Sequence, residues 1–185
     1  MVTEQDLLSL LYRPESEVLD FKGRSYNLSE DSGKADLLKD VICMANTPRE
    51  QTSHIVLGVA KHPDGTFDLP GLDKIDDEEL LQSQFAERVY PIPSLTYEIV
   101  PHSGKHFGVI MIPVRRVGPC VSIKDFPGGG NVLRQRQVYF RRGTKNDVAM
   151  PEDLQRIVSW IMEPRVQHPP TYSPTTPACG MCQAL

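Results

Sequence analysis

The sequence predicts an α+β domain: a mixed, mostly antiparallel sheet with helices packed on it. Three observations lead there. Helical and strand-like periodicities are interspersed over the first 162 residues, without a strict strand–helix–strand series. Alternating residues before and after Ser103-Gly104-Lys105 describe a hairpin, which makes its two strands antiparallel. Ile55-Val56-Leu57-Gly58-Val59 is a continuous apolar run of β-branched character, the composition of a strand buried on both faces.

Each element has a local cause. Thr3 can cap a first helix carrying Leu7, Leu8, Leu10 and Leu11, which Pro14 stops. Val18 to Phe21 is a short strand. From Lys34 to Ala45, helical spacing puts Leu37, Leu38, Val41, Ile42 and Ala45 on one face, and Asn46 suits the exposed helix end because it tolerates the left-handed conformation. Ile55 to Val59 follows, and Pro63-Asp64-Gly65 turns the chain. Asp76 is placed to cap a third helix running through Leu80, Leu81, Phe85 and Val89, which Pro91 and Pro93 end. Leu95, Tyr97 and Ile99 form the first hairpin strand, and Phe107 to Val114 the second. Pro119 to Ile123 is a weaker strand, and Gln137 to Arg141 another, reached through the loop Pro127-Gly128-Gly129-Gly130. Pro151 opens a last helix through Leu154, Ile157, Val158 and Ile161.

Composition bounds the function classes. The 185 residues suit one domain of residues 1–162 and a Pro-rich flexible tail of residues 163–185, where five prolines fall among Thr, Ser and Gln. No apolar run approaches the roughly 18 residues a membrane-spanning helix needs. A net charge of −4 argues against a uniformly basic binder and leaves room for a local basic patch. Of the four cysteines, Cys43 and Cys120 read as small buried hydrophobes. Cys179 and Cys182 lack the second ligand pair of a closed zinc site. Reduced thiols and an acidic amino-terminal stretch give a cytoplasmic expectation.

Three constellations could carry chemistry. Around Glu15-Ser16-Glu17-Val18-Leu19-Asp20-Phe21-Lys22, strand alternation puts Asp20 and Lys22 on one face, and Glu15 lies across a turn. Converging carboxylates can hold a hard divalent cation; an edge strand with solvated charges explains the same residues. Asn46-Thr47, at the end of the second helix, precedes the central strand. The strongest signal lies between residues 134 and 145, where Arg134, Arg136, Arg141, Arg142 and Lys145 occur with no acid and are interleaved with Tyr139 and Phe140. Extended, these residues would make a basic ribbon whose cations neutralise phosphates and whose rings stack on bases; a solvated charge run is the plain alternative. Gly128-Gly129-Gly130 lacks the Gly-Lys-Ser/Thr of a phosphate-binding loop.

Taken in order, these motifs resemble a known family, the Schlafen AlbA-type DNA-binding domain. Glu15 to Lys22 is similar to its Glu-Ser-x-x-Leu/Val-Glu-Phe-Lys opening, with Asp20 at a Glu position. Cys43-Met44-Ala45-Asn46-Thr47 resembles Ala-Phe-Ala-Asn-Thr. Ile55 to Val59 resembles the strand ending Gly-Val, and Pro70-Gly71-Leu72 the Val-Gly-Val after it. Pro119-Cys120 matches the late Pro strand, and Tyr139 to Thr144 the Tyr-x-Arg-x-Gly-Ser/Thr motif. The resemblance covers roughly residues 12 to 160. It implies a nucleic-acid-binding α+β module, and some relatives cut RNA with three metal-binding carboxylates. Two of those fall on Glu15 and Asp20; the third position holds Ala60-Lys61, with Asp64 three residues on.

The functional expectation is therefore a non-catalytic nucleic-acid-binding module without a cofactor. It contacts DNA or RNA phosphates through Lys22, Arg24, Arg134, Arg136, Arg141, Arg142 and Lys145, with Tyr139 beside them. A role in transcriptional regulation and a homodimeric state stay open. The first alternative is a Mg- or Mn-dependent endoribonuclease using Glu15, Asp20 and Asp64 on structured RNA. The second is a protein-interaction module acting through the Pro-rich tail.

Overall fold

The computed structural model describes residues 1–62, 64–126 and 133–163. The tail beyond residue 163, with Cys179 and Cys182, and the Gly128-Gly129-Gly130 loop lie outside the described residues. The fold is α+β, as expected. Four strands build the main sheet: β1 (Leu19–Lys22), β2 (Ser53–Leu57), β6 (Thr96–His102) and β7 (Lys105–Ile112), in the order β1-β2-β7-β6. β1 runs parallel to β2, and the remaining pairs are antiparallel. The β6–β7 hairpin turns through Ser103 (φ 49°) and Gly104 (φ 73°), two consecutive left-handed residues whose twist matches that of the flanking strands.

The continuous apolar run of β2 is explained by burial on both faces. Helix α1 (Glu4–Leu11) covers one side, where Leu7, Leu10 and Leu11 meet Leu19, Phe21, Val56 and Val109. Helix α2 (Asp31–Asn46) covers the other, where Leu37, Leu38, Val41 and Ile42 meet Ile55, Leu57, Ile110 and Ile112. Alternation along β1 therefore aims Leu19 and Phe21 at the α1 layer and Asp20 and Lys22 at the α2 layer. Thr3 caps α1 in a reciprocal box with Asp6, so two amide donors of the first turn have partners. Gly58 and Gly71 pack backbone to backbone, both at positive φ. A Cβ on Gly58 would lie 2.9 Å from the Gly71 carbonyl carbon, so a side chain there would push the two segments apart.

Small two-stranded pairs complete the molecule: β3 (Ala60–Lys61) with β4 (Phe67–Asp68), β5 (Val89–Tyr90) with β8 (Val121–Ser122), and β9 (Tyr139–Arg142) with β10 (Lys145–Val148). Helix α4 (Pro151–Met162) closes the described chain.

Several expectations need correcting. The third helix, α3, spans only Glu78–Ser83 and is capped by Asp77 rather than Asp76. It ends in tighter turns, with the Gln84 and Phe85 amides bonding carbonyls three residues back; Glu87 is then left-handed (φ 57°), and Val89 opens β5. Asn46 is not an exposed left-handed terminus. It is the last residue of α2, almost wholly buried, and Thr47 ends the helix in an extended conformation. The strand at Pro119 to Ile123 shortens to Val121–Ser122, and the late strand shifts to Tyr139–Arg142 with β10 as its partner. Beside the hairpin turn, the His102 ring packs near Phe107 and hydrogen-bonds Glu4 at 2.6 Å.

Candidate nucleic-acid interface

The residues singled out in the sequence separate into a buried hub and an exposed basic surface. The hub forms where β1, α2, β9 and β10 meet. Arg141 is 1% exposed. Its Nη2 donates to Asp20 Oδ1 at 2.9 Å, its Nη1 to Asn146 Oδ1 at 3.0 Å, and its Nε to the Ser16 carbonyl at 2.8 Å. Asn146 donates on to Asp40. Lys22 Nζ closes the ring, 2.9 Å from both Asp40 Oδ2 and Asp20 Oδ2, the latter an ion pair without hydrogen-bond alignment. Tyr26 adds an O–H···O bond of 2.8 Å to Asp40.

Two cations thus balance two carboxylates inside the fold, and each is held by further polar partners. Burial opposes the charge on Lys22, but Asp40 and Asp20 outweigh it and raise its pKa above the ordinary lysine value. Burial, with Asp40 and Asp20 behind it, likewise raises the Tyr26 hydroxyl well above the usual tyrosine range.

This arrangement corrects the ribbon expected from the sequence. An extended segment from residue 134 to 141 would alternate its side chains outward. Instead Arg136 takes a left-handed conformation (φ 59°), regular pairing begins at Tyr139, and Tyr139, Phe140 and Arg141 are all buried. Tyr139 sits under Lys39, 5.4 Å from its ring centroid, and its hydroxyl accepts from the Arg134 amide at 2.8 Å; it offers no face to a base. Arg141 and Lys22 are committed to Asp20 and Asp40. Arg142 is tied to Asp153, with its Nε 3.0 Å from Oδ2. Lys145 is exposed and forms a solvent-screened pair with Asp147 at 3.1 Å. Arg24 is exposed on the rim of a polar cleft of about 590 Å³ that Lys22, Asp40 and the first turn of α2 line.

The carboxylates do not converge. Glu15 accepts from Lys61 Nζ at 3.0 Å and from the Phe21 amide at 3.2 Å. Asp20 faces Arg141 and Lys22, and Asp64 accepts from the amide and hydroxyl of Thr66, two residues on in the same turn. Among the described residues no three His, Cys, Asp or Glu side chains group to hold a metal ion. Each member of the expected triad is matched by a protein cation or a local turn, so these donors do not fit a divalent metal.

Asn46 does work that the sequence left open. Its side chain accepts from the Cys120 amide at 2.7 Å and donates to the Cys120 and Tyr139 carbonyls at 2.9 Å each. Next to it, the Thr47 hydroxyl accepts from the Arg141 amide at 3.1 Å. The Asn-Thr pair therefore staples the end of α2 to β9 and sets the hub's depth.

The exposed basic surface is organised by Ser122, which is fully buried. Its hydroxyl donates to the Lys124 carbonyl at 2.6 Å and to the Arg88 carbonyl at 3.3 Å, and its own carbonyl accepts the Arg136 amide at 2.7 Å. Gln135 ties the same segments, donating to the Ile123 carbonyl and to Asp125. Arg134, Arg136 and Lys124 project from this knot into solvent, and among the described residues none forms an ion pair. Arg88 escaped the sequence reading because it lies far along the chain from the Arg-rich segment, and Lys124 because it stands on the far side of the Gly128-Gly129-Gly130 stretch, next to Asp125.

A mixed sheet with helices on both faces, and an exposed basic knot on the segments beside it, define an α+β module. A family model for the Schlafen, AlbA_2 domain matches residues 15–150, and the chain belongs to that family. Among solved structures, it is similar to the N-terminal domain of a protein from Nitrosomonas europaea described as related to the ATP-dependent DNA helicase RecG. The identity is 26% and the TM-score 0.51, over 75% of this chain and 95% of that one. It also shares its fold with the DIP2311 protein of Corynebacterium diphtheriae, at 15% identity and a TM-score of 0.51, over 82% of this chain and 27% of that one. A search of curated proteins found no match. No helix among the described residues is long and apolar enough to cross a membrane.

Proposed function

We propose that this chain is a non-catalytic nucleic-acid-binding module that contacts the phosphate backbone through Arg134 and Arg136, with Lys145 and Arg24 as outlying contacts. One observation carries the reading: Arg134 and Arg136 are solvent-exposed and form no ion pair among the described residues. Their charge is therefore available to an outside anion, whereas that of Lys22 and Arg141 is matched inside the fold and that of the partly exposed Arg142 is paired with Asp153. Membership of the Schlafen, AlbA_2 family and likeness to a RecG-related N-terminal domain support the same direction. Binding of this kind releases counterions, so affinity falls steeply with salt and depends weakly on sequence.

The test is a fluorescence-anisotropy titration with labelled DNA and RNA at two salt concentrations. Replacing Arg134 and Arg136 together by Ala should weaken binding about tenfold or more and flatten the log–log salt slope by about 1.5 to 2, one phosphate contact each. An unchanged affinity and slope in the double variant would sink the reading.

A further inference from the structure

The basic knot has an apolar companion surface, and together they select a kind of nucleic acid. β5 pairs antiparallel with β8, Val89 opposite Ser122 and Tyr90 opposite Val121, and Val121 bridges in turn to Val138. The Ile123 amide donates to the Arg88 carbonyl at 2.8 Å, so the pairing continues one step beyond the strands. Val89 and Ser122 are buried, so the pleat turns Arg88, Tyr90, Val121 and Ile123 the other way. On that face Tyr90 is 72% exposed and Ile123 40% exposed.

An exposed ring and a branched aliphatic chain thus stand on one face of a small sheet. At its margin are Lys124, Arg134 and Arg136, with Ser122 binding the backbones of 88, 124 and 136 together. Arg88 is braced differently, its guanidinium donating to the Ser83 and Gln84 carbonyls at the end of α3, where it contributes fixed positive charge.

We infer that this face binds single-stranded nucleic acid in preference to duplex, with a base stacked on Tyr90 beside Ile123 and the flanking phosphates met by Lys124, Arg134 and Arg136. The inference rests on the proposed function and adds the strand class and the stacking residue. In a duplex the base faces are already stacked on one another and hidden from a protein ring. A single strand presents both a free π-face and its phosphates, the pairing of chemistries this surface displays. Lys124, Arg134 and Arg136 outnumber the nearby carboxylate of Asp125 and form no ion pair among the described residues, which favours a polyanion over a neutral protein partner.

The experiment titrates the full chain with a labelled oligothymidylate, an oligouridylate and a duplex of the same length, for wild type, Tyr90→Ala, Tyr90→Phe and Ile123→Ser. Tyr90→Ala should weaken single-strand binding at least fivefold, Tyr90→Phe should restore it, and duplex binding should change less than twofold. Ile123→Ser should give a smaller loss in the same direction, which keeps the inference testable if Tyr90→Ala melts early. Wild-type affinity in both Tyr90→Ala and Ile123→Ser, or equal affinity of the wild type for single strand and duplex, overturns the inference. If Arg134 and Arg136 still matter in that case, the proposed function survives and the apolar face is left to a protein partner. No binding to any of the three probes would overturn both.

Discussion

At the scale of single residues, Asp20 and Arg141 show how position changes meaning. As letters in a sequence they look like a metal ligand and a phosphate contact. In the fold they are each other's counter-ion, 2.9 Å apart and both nearly free of solvent. Such a pair gives weak net stabilisation when intact, but removing one partner leaves a buried charge unmatched. Asp20→Asn should therefore cost about 3 kcal/mol and lower the thermal midpoint by roughly 6–12 °C in a chain of this size, read by circular dichroism. A midpoint within two degrees of wild type would show that Arg141 finds other partners. The outcome also separates roles, because a surface carboxylate used only for catalysis would leave the melt untouched.

Among the elements, α4 is held by fewer devices than the central sheet. Trp160 is its buried anchor: the indole donates to the Arg49 carbonyl at 3.2 Å, and Arg116 stacks 5.4 Å from the ring. Arg49 is itself buried and has no carboxylate partner among the described residues. Its guanidinium donates to the Met44, Ala45 and Thr47 carbonyls at the end of α2, and to those of Ile112 and Pro113 after β7. Burial lowers its pKa to about 10. The Arg49 side chain therefore caps a helix and holds the end of β7, and it fixes the segment whose backbone carbonyl receives the indole of α4. Arg49→Ala should destabilise the fold by about 2 kcal/mol, since several buried carbonyls lose their donor. It should also shift the emission of Trp160, the single tryptophan, to the red. An unshifted emission maximum would show that α4 docks independently of Arg49.

The motifs that carried the family resemblance acquire a physical account at this same scale. Asp20 and Lys22 come from β1, Arg141 from β9, and Asn46-Thr47 from the end of α2; all meet in the hub or its staple. Their order and spacing were legible in the chain because the closed network requires those residue types together. That the network is internal was not legible. Strand alternation predicts which residues share a face, yet it is silent on whether another layer covers that face.

For the molecule as a whole, acidity acts through His54 on β2. Burial lowers its pKa below the ordinary 6.5, Arg13 lowers it further, and Asp6 opposes. A lowered folded-state pKa means that the unfolded chain takes up the proton first as pH falls. The contribution of neutral His54 is then complete above about pH 6.5 and is lost progressively below it. His54→Gln should make stability fall less steeply than wild type between about pH 6.5 and 5, measured by urea denaturation at stepped pH. Equal slopes would show that His54 is readily protonated inside the fold.

The sequence by itself determined the class of fold, the order of the main elements, the central two-faced strand and the family, because these follow from local periodicity and from residue types in order. It also marked residues 134–145 as the chemically unusual stretch. Only the tertiary structure decided which of those cations are available. β9 lies against α2, so Tyr139, Phe140 and Arg141 turn inward, while the left-handed Arg136 keeps the preceding residues at the surface. The Ser122 knot could not be read from the chain, since it joins segments from residues 88, 122–124 and 135–136 through backbone carbonyls that every residue possesses. Charge is written in the sequence; whether a charge faces solvent or a buried counter-ion depends on contacts between residues distant in the chain.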